Sequence, residues 1–263
     1  AMSAMPRCST TMPARIFCDA GLHCTAAIAA KREIPQEPAM TTAPEWQAYT
    51  MPNYDELMTR ACAELQQRIL VDPAYRSSIL TDPRDLHRSL FAEFTPPGYP
   101  EYAGTYRGTV GTSLERRRMG APQIFSPQKS FSFEKPERVA AALHFLLSEV
   151  CRELVPARSA APFVQLLTLT HLFCWFGKIH PFLDGNGHIQ RALFAAAATE
   201  LAIPLGSRFA IHPRPFDSLL AWPLEMFTRA APEQRERFLA MVAEYLSSWL
   251  AGPFDLPASG IAS

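Results

Sequence analysis

Ile179-His180-Pro181-Phe182-Leu183-Asp184-Gly185-Asn186-Gly187-His188-Ile189-Gln190-Arg191 is the stretch that decides how this chain is read. It closes an apolar helical run over 161–178 and opens another over 188–202, so it reads as a loop held between two buried helices. The loop gathers a histidine, a carboxylate, two glycines, an amide and two further basic side chains. Gly185 and Gly187 allow a close approach of ligand to backbone. Their N–H groups, followed by a helix start, form an anion site, because unpaired amides and the helix dipole point the same way. Arg191 falls three residues after His188 and shares its helix face, one turn in from the glycine turn, where a guanidinium can fork onto phosphate.

What is missing narrows the chemistry. The chain has no GxxxxGK[ST] loop and no GxGxxG after a strand-like run. Instead His180 precedes the glycine turn by five residues with an acid between. That order suits a base beside a magnesium-bound phosphate, Asp184 offering a hard oxygen ligand and His180 taking a proton near neutral pH.

These residues resemble the signature of the Fic family, HxFx[DE]GNGRxxR. His180, Phe182, Asp184, Gly185, Asn186, Gly187 and Arg191 fall in register, and His188 stands where the family usually has arginine. The resemblance implies a mainly all-α fold, a helical bundle with a small β-hairpin flap. It implies a protein nucleotidyltransferase that moves AMP from ATP to a Ser, Thr or Tyr hydroxyl of a target protein. In that scheme His180 is the general base, and Asp184 holds Mg²⁺. Gly185, Asn186, Gly187, His188 and Arg191 receive the phosphates of ATP, and Phe182 serves the core. Histidine is shorter than arginine and mostly neutral at pH 7. The substitution at 188 therefore leaves two alternatives beside AMP transfer: another nucleotide or phosphate-bearing donor, or an impaired nucleotide-binding adaptor.

The resemblance also bears on partners and control. The family's flap segment precedes the core helices and contains a Gly-x-x-Arg pattern that Gly104-Thr105-Tyr106-Arg107 resembles. By resemblance a target segment pairs with the flap edge by strand addition. The family's inhibitory [ST]xxxE[GN] helix has partial matches at Thr41…Glu45, Ser89…Glu93 and Ser130…Glu134, none followed by Gly or Asn. Control by a separate antitoxin-like partner, or no such control, is the expectation instead. A reading from another class takes His180, Asp184 and His188, spaced by four, as zinc ligands. Gly185-Asn186-Gly187 argues against it by breaking the helix such spacing needs.

Composition sets the outer bounds. The chain has 263 residues, with Lys+Arg and Asp+Glu equal at 25 each, so no general nucleic-acid binding is expected. No apolar run reaches transmembrane length, and the expected setting is cytoplasmic, with a secreted effector as the alternative. Six cysteines show no framework spacing and read as free thiols. His171-x-x-Cys174 reads as core packing, for want of a second such pair.

Residues 1–48 lack sustained periodicity and read as an irregular leader. Apolar spacing predicts helices over 52–70 and 82–94, the latter capped by Asp82-Pro83 and ended by Thr95-Pro96-Pro97-Gly98. The flap is placed at about 104–133, with strand-compatible Thr109, Val110 and Ser113-Leu114, a turn at Met119-Gly120-Ala121-Pro122, and a return strand at Gln123-Ile124-Phe125. Arg116-Arg117-Arg118 reads as a solvated turn face or an acidic-target contact. Helices follow over 136–154, 161–178 and 188–202, forming a core of about 136–203, and then over 215–229 and 232–250. The domain is expected to span 49–251, with a loose tail over 252–263. No internal repeat is evident.

Overall fold

The structure, a computed structural model, describes residues 43–124, 126–213 and 218–252. The leader up to residue 42, with Cys8, Cys18 and Cys24, and the tail from 253 lie outside the described residues. Eight α-helices are found among the described residues: α1 (Tyr54–Val71), α2 (Pro73–Thr81), α3 (Arg84–Phe91), α4 (Pro136–Ala157), α5 (Pro162–Ile179), α6 (Asn186–Glu200), α7 (Ser218–Arg229) and α8 (Arg235–Ser247). The strands are β1 (Gly120–Gln123) and β2 (Ser126–Ser132), paired antiparallel. The fold is mainly α with a hairpin flap, as the sequence implied.

Two helices make the centre. α5 packs against α4, α6, α7 and α8, while α6 packs against α1, α2 and α5. Their apolar content explains the placement. α5 buries Leu166, Leu169, Leu172, Phe173, Phe176 and Ile179, and α6 buries the whole run from Ile189 to Ala198. Ala195 to Ala198 are fully enclosed, because small side chains let neighbouring helices approach on every side. α5 is less enclosed at its start, where Phe163 remains 66% exposed. α1 presents Tyr54, Met58, Cys62, Leu65 and Ile69 to this centre at helical spacing.

α2 had no counterpart in the sequence reading. It buries only Ile79 and Leu80, too few apolar positions for a periodic signal. Its start was nevertheless written as Asp72-Pro73, since the Asp72 carboxylate accepts from Tyr75 N at 2.9 Å and the proline occupies the first turn.

The flap needs a correction. Its strands occupy 120–123 and 126–132, so Gly120-Ala121-Pro122, expected as the turn, is the first strand, and the reversal falls after Gln123. Phe125, expected in the return strand, lies outside the described residues. Thr109, Val110 and Leu114 form tight turns and no strand. The reason is local. Gly108 sits at φ +87°, where a Cβ would stand 1.8 Å from the Pro136 carbonyl oxygen, so the chain is wound tightly against the start of α4.

The expected boundary at residue 48 falls inside a described segment. Residues 43–50 are irregular or 3-10 in form, yet Trp46 and Ala48 are buried. The Trp46 indole donates to the Phe94 carbonyl at 2.7 Å, and the Arg117 guanidinium holds the carbonyls of Ala43 and Pro44. Arg117 therefore braces this segment, while Arg116 and Arg118 are exposed. The residues from 214 to 217, where the helix expected over 215–229 was to begin, lie outside the described residues.

Candidate functional site

The signature loop is built around its own backbone. α5 ends at Ile179, and His180 after it adopts the left-handed conformation (φ 52°, ψ 63°) and caps the helix with its N–H on Phe176 O at 2.9 Å. The Asn186 side chain bridges back to Phe182, accepting its N–H at 2.9 Å and donating to its carbonyl at 2.8 Å. Its amide is thus used inside the loop, and what it offers outward is its backbone. α6 begins at Asn186, so the N–H groups of Asn186 and Gly187 have no intrahelical acceptor. Gly185 precedes them at φ +74°.

Beneath the loop lies Arg107, whose side chain is completely buried. Its guanidinium donates to the carbonyls of His180 (2.9 and 2.8 Å), Ile179 (3.1 Å), Arg117 (3.1 Å) and Glu134 (3.2 Å). Its own N–H reaches Pro181 O at 2.9 Å. Burial lowers its pKa to about 10, which leaves it charged at neutral pH. The Gly-x-x-Arg pattern thus places a cation against the loop backbone.

From above, the flap covers His180. Phe133, just past β2, stacks on the imidazole with ring centroids 3.8 Å apart and planes 10° from parallel. Burial, reinforced by the Arg107 charge, pushes the His180 pKa down to about 3. The ring is therefore neutral across the physiological range. At the flap tip Ile124 N donates to the Glu225 carboxylate of α7 at 2.8 Å, and Arg229 holds its other oxygen at 3.2 Å.

These elements enclose a cavity of about 250 Å³ between the flap, α5, α6 and α7. His180, Asn186, Gly187 and Arg191 line it, with Gln190 and Glu225 as further polar walls. Gln190 is fixed by donating to Phe173 O at 2.6 Å, and Arg191 by Nε to Ile211 O at 2.8 Å.

Asp184 and His188 are not among the residues lining this cavity. Asp184 accepts Ala48 N at 2.8 Å and Gly185 N at 2.7 Å, and burial raises its pKa while these amides oppose the rise. His188 turns to His212, with Nε2 and Nδ1 3.0 Å apart and the rings stacked. Tyr54 and Phe91 meet it edge-on. Phe182 is fully buried, in keeping with the core role expected of it.

Among the described residues no group of three His, Cys, Asp or Glu side chains is placed to hold a metal, so the zinc reading of His180, Asp184 and His188 finds no support. Cys62, Cys151 and Cys174 are free, and burial raises each thiol's pKa. Of the partial inhibitory motifs, Glu45 and Glu93 are exposed and Glu134 lies 4.0 Å from Arg138. Sequence reasoning missed His87, Phe133, His212 and Glu225, because an aromatic, a histidine or an acid outside a motif carries no mark of what it faces.

The Fic/DOC family matches residues 80–198. This segment is a Fic/DOC domain. It begins near the end of α2 and takes in α3, the flap and both central helices. No curated protein and no solved structure matches the chain. Among the described residues no helix is long and apolar enough to cross a membrane.

The buried histidines of the Fic domain carry a pH signature. Burial pushes the pKa of His87, like that of His180, down to about 3. Unfolded, each binds a proton near pH 6.5. Below that value the unfolded chain holds more protons, so stability falls as pH drops, by up to about 1.4 kcal/mol per unit for each histidine. The contribution is complete above pH 6.5. Asp184, with its raised pKa, opposes the trend at the acid end. Urea unfolding between pH 7.5 and 4.5 is expected to show the midpoint falling steadily below pH 6.5, with a shallower fall in His180→Phe.

Proposed function

We propose that the Fic/DOC domain makes this chain a protein nucleotidyltransferase, moving AMP from ATP to a Ser, Thr or Tyr hydroxyl of another protein. The observation that carries this reading is the convergence on one cavity of a neutral imidazole, the opening amides of α6 and the Arg191 guanidinium. Family membership supports a transferase of nucleotide-derived groups. His180 takes the proton of the target hydroxyl as its oxygen attacks the α-phosphorus. The bond to the β-phosphate oxygen breaks, and pyrophosphate leaves. The N–H groups of Asn186 and Gly187 and the Arg191 cation receive the charge that develops on the phosphates. Asp184 accepts from Ala48 N and Gly185 N and does not line the cavity, so it would have to turn toward those phosphates to hold Mg²⁺ with them, and the ion would supply further neutralisation.

The cavity is smaller than ordinary small-molecule pockets of ~300–1,000 Å³. Phe133 covers His180 and Glu225 holds Ile124 N, so a nucleotide reaching His180 would displace the flap and free both contacts. The opened hairpin edge would accept the target segment by strand addition. Control by a separate antitoxin-like protein remains part of this proposal.

A second reading, transfer from another nucleotide or phosphate-bearing donor, is favoured by one observation. His188 is directed at His212, so the cavity lacks a second cation at that position. The test is label transfer with each of the four α-³²P nucleoside triphosphates, Mg²⁺ and a host lysate. Label from ATP on a protein band, absent with His180→Ala, is the expected result. Binding without transfer from any of the four would overturn the nucleotidyltransferase reading and leave a different donor or an adaptor.

A further inference from the structure

We propose that His87 is a positioning residue of the signature loop, a neutral imidazole that hydrogen-bonds to the Asp184 carbonyl through Nε2. It lies on α3, on the same stripe as Leu86, Leu90 and Phe91, and has no solvent exposure. A polar ring there is costly unless both nitrogens are satisfied, and both are. Gly104 N lies 2.8 Å from Nδ1, and Nε2 lies 3.0 Å from Asp184 O. These partners fix the tautomer. A backbone N–H only donates, so Nδ1 is the acceptor; a carbonyl only accepts, so Nε2 carries the proton.

The ring also stacks on Phe182, with centroids 3.8 Å apart and planes 10° from parallel, and Trp46 meets it edge-on. One side chain therefore ties the turn that starts Gly104-Thr105-Tyr106-Arg107 to the middle of the loop. Arg107 holds the loop at His180, and His87 holds it four residues later at Asp184. Between these two points the peptide planes have little freedom. The direction of the amides that follow, Gly185 to Gly187, is set by the peptide that His87 holds. The functional weight of this contact rests on the transferase reading of the loop; the contact itself does not.

Two measurements on the full chain test it. Long-range ¹H–¹⁵N spectra of the histidine side chains are expected to show His87 with an unprotonated Nδ1 and a protonated Nε2. The opposite tautomer would overturn the proposal, and this result needs no variant. The second compares His87→Gln, whose amide can still donate toward Asp184 O, with His87→Asn, whose oxygen can reach only Gly104 N. The Gly185 and Gly187 amide signals are expected to stay in place in the Gln variant and to move or broaden in the Asn variant. Transfer per folded molecule is expected to fall about tenfold or more in the Asn variant and within about threefold in the Gln variant. Equal loop signals in the two variants would overturn a positioning role and leave His87 as a core residue. If wild-type protein transfers no label, the glycine signals still decide the role of His87, and the failure falls on the transferase reading alone.

Discussion

Arg107→Met lowers the stability of the protein by about 4 kcal/mol, in the range reserved for lost buried networks. Methionine fills much of the space but donates nothing. The carbonyls of Ile179, His180, Arg117 and Glu134 then lose their shared donor at the start of α4 and the end of α5. Hydrogen bonds from a charged donor contribute about 1.5–3 kcal/mol each, less than additively when one group makes them all. Arg107→Lys recovers less than half of the loss, because one ammonium cannot fork toward four oxygens. Urea midpoints for the three proteins check this, with an unchanged slope confirming that stability alone has moved. The Arg107 charge also helps keep His180 neutral. In any variant that folds without it, the imidazole pKa rises toward 6.5, a change visible by NMR titration.

Gly185→Ala is the second large effect. The residue sits at φ +74°, and an added Cβ would stand 2.4 Å from Phe91 Cε2 and 2.5 Å from Cζ. Left-handed strain costs a non-glycine residue roughly 1 kcal/mol, and overpacking against a buried ring adds about 1–3 kcal/mol. Phe91 has no exposure and so no room to retreat. The strain can be relieved only by moving the loop, which turns the amides of Asn186 and Gly187 away from the cavity. Transfer is therefore expected to fall more than about tenfold even in the folded fraction. The contact with Phe91 can be isolated by a double-mutant cycle. Gly185→Ala should cost measurably less in a Phe91→Leu background, and equal costs in both backgrounds would remove Phe91 from the explanation.

The sequence was informative where periodicity or spacing carries the physics. The alanine run of α6, the apolar surface of α5 and the Asp-Pro start near α3 all appear as elements at the expected places. α2 escaped because a nine-residue helix with two buried apolar residues has almost no periodic signal. The flap strands were misplaced because β1 contains Gly120 and Pro122, residues that read as a turn. At the site, the glycines, Asn186 and Arg191 were legible as a motif. Their partners were not. His87 and Phe133 act across 97 and 47 positions of sequence, on Asp184 and His180, and such contacts exist only once the chain is folded. His188 shows the same limit: its difference from arginine was visible, but its pairing with His212 was not.

In the proposed reaction the α-phosphoryl group, with its nucleoside, passes to a protein hydroxyl at His180. Parallel reactions with α-³²P-ATP and γ-³²P-ATP test it most directly, using wild-type chain and His180→Ala. Protein label is expected from the α position only, and is lost with His180→Ala. Label retained from the γ position, or α label that survives His180→Ala, would contradict it.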